Sequence, residues 1–66
     1  MDEQDVFKEV NGRYPHEENI IVSLFISKQF GCQYGINVSP DLVVVGKTWV
    51  QAMDRLAMEE ERRRSA

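Results

Sequence analysis

Cys32-Gln33-Tyr34-Gly35-Ile36-Asn37-Val38 places an apolar residue at every second position. A period of two gives a strand with one buried face and fits no helix, whose period is 3.6. Upstream lies the β-branched and aromatic run Ile20-Ile21-Val22-Ser23-Leu24-Phe25-Ile26, and downstream lies Leu42-Val43-Val44-Val45. Both have the composition of strands. After Gly46 the period becomes helical, with Trp49, Ala52, Met53, Leu56 and Ala57 on one face, which is the amphipathic template.

The flanking residues supply the punctuation. Lys28-Gln29-Phe30-Gly31 reads as the turn after a strand over Ile20–Ser27, with Gly31 able to take a positive φ. Ser39-Pro40-Asp41 is the turn between strands over Cys32–Ser39 and Leu42–Val45, with Pro40 at its first central position. Thr48 caps the last helix. Glu59 with Arg63 and Glu60 with Arg64 fall four apart near its end, in the favourable order. At the other end, Asp2 caps a short helix to Val10, with Val6, Phe7 and Val10 on one face and Asn11-Gly12 as its stop.

Sixty-six residues make a single domain, 1–66. The expected fold class is α+β: a short N-terminal helix, a three-stranded antiparallel sheet and a long amphipathic C-terminal helix. Ile20, Val22, Leu24 and Ile26, with Cys32, Tyr34, Ile36 and Val38, are expected to face the long helix. The opposite face is mixed, with Ile21, Phe25, Val43 and Val45 beside Ser23, Gln33, Gly35 and Asn37. Either the first helix or a second protein would cover it. A helix over Pro15 to Phe30 is the competing reading, since Pro15 followed by His16-Glu17-Glu18 suits a helix opening. That arrangement would resemble the second half of an acyl carrier protein. His16-Glu17-Glu18 then stands where such a carrier needs an Asp-Ser-Leu for phosphopantetheine.

Chemical motifs are sparse. His16 is the one histidine and lies in a polar loop, without the ligand spacing of a metal site. Cys32 is the one cysteine, so no intramolecular disulfide forms, and its place in the alternating strand predicts a buried thiol. Gly46-Lys47-Thr48 matches the end of a phosphate-binding loop, but the required upstream glycine is Asp41. With no acid–base pair and no glycine-rich cradle, we expect no catalytic activity, no cofactor and no metal. The acidic start Met1-Asp2-Glu3-Gln4-Asp5 is unlike a basic secretory leader, and the apolar run Ile20–Ile26 is too short for a bilayer. A cytoplasmic protein without membrane association is the expectation.

The formal net charge of −3 argues against a generic nucleic-acid binder. The helix–strand–strand–strand–helix order nonetheless resembles the double-stranded-RNA-binding domain. That resemblance implies a lysine cluster at the start of the second helix, where this chain has Lys47 alone in Lys47-Thr48-Trp49-Val50-Gln51. A nucleic-acid contact would therefore rest on Lys47, Arg62, Arg63 and Arg64.

Residues 20–60 carry a second resemblance. Three strands, Pro40-Asp41-Leu42, then Gly46, Thr48 and Ala52 opening a helix are similar to the N-terminal module of HicB antitoxins. The span from Leu42 to Gly46 is shorter than in that family, and Trp49, Val50 and Gln51 replace its usual acidic residues. The resemblance implies a small regulator that covers another protein's surface, and a compact, acidic chain without catalytic groups is of the kind expected of phages or mobile elements. The expected contact residues are Ile21, Phe25, Val43, Val45 and Trp49, on a protein partner or in a homodimer. Nucleic acid is the alternative partner.

Overall fold

A computed structural model of the protein describes residues 1–65. The chain forms α1 (Glu3–Arg13), β1 (Ile21–Ser27), β2 (Gly31–Ser39), β3 (Leu42–Gly46) and α2 (Trp49–Ser65). The strands make one antiparallel sheet in the order β1-β2-β3. The α+β class and element order are those expected, and residues 21–27 are strand, not helix.

Helix α1 opens on a capping box. The Asp5 N–H donates to the Asp2 carboxylate at 2.9 Å, and the Asp2 N–H donates back to Asp5 at 3.4 Å. The expected stop at Asn11-Gly12 does not occur: the helix continues to Arg13, and Gly12 has no positive φ. Pro15 sets the end instead. A residue before proline is pushed out of the helical region, and Tyr14 caps the helix at φ −128°, ψ 65°, with its N–H donating to the Val10 carbonyl. Arg13 steadies the last turn through Glu9 at 3.5 Å and Glu60 of α2 at 3.0 Å.

Gly31, at φ 72°, reverses the chain between β1 and β2. The β1–β2 register is unbroken from Ile21↔Asn37 to Ser27↔Gly31. The β2–β3 register shifts between Asn37 and Ser39. This bulge lets Val38 and Leu42 both enter the core. Thr48 caps α2 as expected, accepting from the Gln51 N–H at 3.0 Å, while the Gln51 side chain accepts from the Lys47 N–H at 2.6 Å. The Thr48-to-Gln51 spacing is that of a capping box.

Both helices lie on one side of the sheet. Val6 and Val10 of α1 join Trp49, Ala52, Met53 and Leu56 of α2 over Ile36, Val38, Leu42 and Val44. Phe7, expected on the same helix face, is largely exposed. The even-numbered residues face this side, but the hairpin reaches past both helices. Val22 and Tyr34 are half-buried, whereas Leu24, Ile26 and Cys32 are exposed. Cys32 is therefore not the buried thiol that its alternation predicts. Alternation fixes the face a residue points to, and the placement of the covering helices, α2 over β3 and β2 and α1 over part of β1, fixes whether that face is dry.

Two glycines separate constraint from tolerance. A Cβ on Gly46 would lie 2.6 Å from the Ala52 backbone nitrogen, whereas a Cβ on Gly12 would meet nothing within 4 Å. Gly46→Ala should lower the unfolding free energy by about 1–3 kcal/mol. Gly12→Ala, in a helix interior, should raise it by about 0.5–1 kcal/mol. Urea melts of the two variants beside the parent check both signs.

Candidate functional site

Among the described residues, nothing covers the side of the sheet away from the helices. The first helix, one of its two expected covers, packs on the other side with Val6 and Val10 in the core. Ile21 (55% exposed), Phe25 and Val43 (54%) lie open on this face, with Val45 half-buried beside them. Register explains their proximity: Ile21 pairs with Asn37, which pairs with Val43, and Ser23 pairs with Gly35, which pairs with Val45. Phe25 lies across Gly35, its ring carbon 3.1 Å from where a Cβ would stand, with a Val45 methyl at 3.6 Å. The glycine thus admits an aromatic ring flat on the sheet. Around the β3 edge the apolar surface continues through a groove lined by Val43, Val45, Arg55, Met58 and Glu59. Met58 is exposed, and its place in the site was not legible from the sequence because it follows α2's core stripe without belonging to it.

Trp49, grouped with these residues by sequence reasoning, is not brought to them. It is 8% exposed and packs edge-on against Tyr34, with ring centroids 4.6 Å apart, in the core on the other side of the sheet. The remaining four residues share the open face: Phe25 and Val45 meet over Gly35, and Ile21 and Val43 flank Asn37.

The alternative, basic set is dispersed. Lys47 precedes α2 and Arg62, Arg63 and Arg64 end it, about 20 Å apart along the helix. The arginines are engaged by acidic neighbours: Arg62 with Glu59 at 2.7 Å, Arg63 with Asp41 at 3.5 Å, and Arg64 with Glu61 at 3.9 Å. Glu60, expected to pair with Arg64, turns to Arg13. A tertiary partner was within reach, and helical spacing alone could not reveal it.

A cleft lies where α1 ends, with Val38 and Leu42 in its lining and Tyr14, Glu17, Ser39, Asp41, Glu60 and Arg63 around them. Burial and a hydrogen bond to Glu60 push the Tyr14 phenol up to about 12. The Ser39 hydroxyl, donating at 2.7 Å, and the nearby Arg63 hold the Asp41 carboxyl below its ordinary value. Arg63 also donates to the Asp41 carbonyl. These groups fasten the end of α2 to the β2–β3 turn and to α1. A phenol that holds its proton this tightly is a poor acid near neutral pH. His16 lies exposed in the loop before β1. Among the described residues no group of three or more His, Cys, Asp or Glu could hold a metal ion. No helix is long and apolar enough to cross a membrane.

No protein-family model, curated protein or solved structure matches the chain.

Adjacent valines on β3 report which side is covered. Val43→Thr should change stability by no more than about 0.5 kcal/mol, while Val44→Thr, which buries a hydroxyl, should cost about 1–3 kcal/mol. A second test is the ultraviolet titration of the phenols. One tyrosine should ionise near pH 12, and Tyr14→Phe should abolish that step. Unfolded tyrosine loses its proton near 10. The Tyr14 contribution to stability is therefore complete below about pH 10 and is lost as the pH rises through 12.

Proposed function

We propose that this chain is a small non-enzymatic regulator that binds a protein partner through the uncovered sheet face, with Ile21, Phe25, Val43 and Val45 as the contact set. The observation that carries this reading is the asymmetry of the sheet: both helices pack on one side, and the other leaves Ile21, Phe25 and Val43 exposed beside Val45. Exposed apolar surface of that kind marks interaction sites. Seated against a partner, Phe25 would act as an aromatic anchor, flanked by Ser23, Gln33 and Asn37 as polar contacts. The similarity of residues 20–60 to the HicB antitoxin module favours the same direction, a compact inhibitor that works by covering a surface. A cytoplasmic setting suits that role.

The nucleic-acid reading through Lys47, Arg62, Arg63 and Arg64 is the alternative. It is weakened by the ion pairs that engage the arginines and by the length of helix between them and Lys47.

Affinity capture from host lysate tests the two readings together. The bait proteins are the parent, a face variant (Val43→Lys with Phe25→Ser) and a tail variant (Arg62→Gln with Arg64→Gln). The parent and the tail variant should retain the same protein, and the face variant should lose it. Recovery of nucleic acid that the tail variant loses, and that rising salt releases steeply, would establish the alternative instead.

A further inference from the structure

The two edges of the sheet are finished differently. At β3, side chains from α2 occupy main-chain acceptors: Arg55 donates to the Val45 carbonyl at 2.6 Å, and Arg63 donates to the Asp41 carbonyl just before the strand. At β1, among the described residues, no side chain bonds to the main chain of Ile21–Ser27. Ile21-Val22-Ser23-Leu24-Phe25-Ile26-Ser27 contains no charge, proline or glycine, and its register with β2 has no bulge. Those are the devices that ordinarily keep an edge strand from pairing with another chain. An edge with unpaired N–H and C=O groups takes a strand as its occupant.

We propose that the β1 edge pairs with the β1 edge of a second copy of this chain, antiparallel and centred on Leu24, so that two three-stranded sheets join into one of six strands. Three features make the second copy the fitting strand. Antiparallel pairing about Leu24 sets Leu24 opposite Leu24, Val22 opposite Ile26 and Ile21 opposite Ser27, so the helix-covered sides of both copies fall on the same side of the joined sheet. The hairpin overhang then finds its cover. Ile26, 78% exposed in the single chain, meets Val22 of the other copy beside a groove lined by Glu3, Gln4, Phe7 and Val22. Charge also matches. Lys28, the one Lys or Arg between Arg13 and Lys47, comes beside the Glu17-Glu18 stretch that leads into β1 of the other copy.

Size is adequate as well. A dimer of ordinary extent buries roughly 800 Å² per subunit, about one-sixth of the 4949 Å² surface. Phe7, Leu24, Phe25, Ile26 and Phe30, all exposed, sit on β1, its turn or the helix beside it. This surface is separate from the Val43 side of the open face, so joining the edges leaves that side free and duplicates it.

Cys32 supplies the probe, being exposed and the only cysteine. It pairs with Ile26, two residues from the proposed dyad. In the joined sheet the two Cys32 Cα atoms lie about 20 Å apart, from about 13 Å along the strands and about 14 Å across three strand spacings. Sedimentation of the parent should show a dimer. Spin labels on Cys32 should report a distance near 20 Å by dipolar spectroscopy. Leu24→Lys and Ile26→Lys alter side chains already exposed in the single chain and should yield folded monomers by circular dichroism and sedimentation, with the distance lost. A parent that stays monomeric at millimolar concentration overturns the proposal. So does a dimer that survives both β1 variants and is dissolved by Val43→Lys, because its contact would be the open face. Loss of partner capture on Val43→Lys alone, on β3 and away from the joined edge, bears on the functional reading, and self-association of the parent bears on this one, so the two can fail separately.

Discussion

The first turn of α2 rests on the end of β3 with room at Gly46 for a hydrogen and nothing larger. That approach decides where the helix lies. With its backbone against Gly46, α2 directs Ala52, Met53 and Leu56 into the sheet and places Trp49 against Tyr34. Its far end then reaches the β2–β3 turn, where Arg63 meets Asp41, and the end of α1, where Glu60 meets Arg13. The core residues Ile36, Val38, Leu42 and Val44 are the ones beneath this path. A chain of this length has few apolar residues to place, and committing both helices to one side of the sheet leaves none for the other.

The consequences run through the rest of the molecule. Helix α2 lies over β3 and β2, and α1 meets β1 beside Val22, so Leu24, Ile26 and Cys32 point to the covered side and yet stay in water. The open face keeps Ile21, Phe25 and Val43 exposed, with Gly35 recessed beneath Phe25. The guarded β3 edge and unguarded β1 edge follow from the same placement: α2 runs beside β3, and its arginines reach one carbonyl in that strand and one just before it. The electrostatic pairs are surface contacts and contribute modestly to stability. Their effect is to hold the end of α2 in place.

Much of this was legible in the sequence because local rules and tertiary demands coincide there. The alternation of Cys32 to Val38, the glycine turn at Gly31, the Ser39-Pro40-Asp41 turn and the Thr48 cap each name an element that the structure contains. The set Ile21, Phe25, Val43 and Val45 follows from strand parity alone. What escaped is set by objects that parity does not describe. Tyr14 before Pro15, rather than Asn11-Gly12, ends α1 because the proline restriction acts on the preceding residue whatever the glycine allows. Cys32 is exposed because covering depends on where the helices lie over the sheet. Trp49 lies in the core, as its place on the apolar face of α2 implies, and only its grouping with the contact set is overturned. Glu60 leaves its helical partner because Arg13 of α1 is nearer.

The account depends on both helices packing on the same side of the sheet. Nuclear Overhauser contacts between side-chain protons measure that directly. Methyls of Val6, Val10 and Leu56 should show contacts to those of Ile36 and Val44, and Phe25 and Val43 should show contacts to neither helix core. Contacts from Val6 or Val10 to Phe25 or Val43 would place α1 on the face described as bare, and the proposed binding surface would not exist.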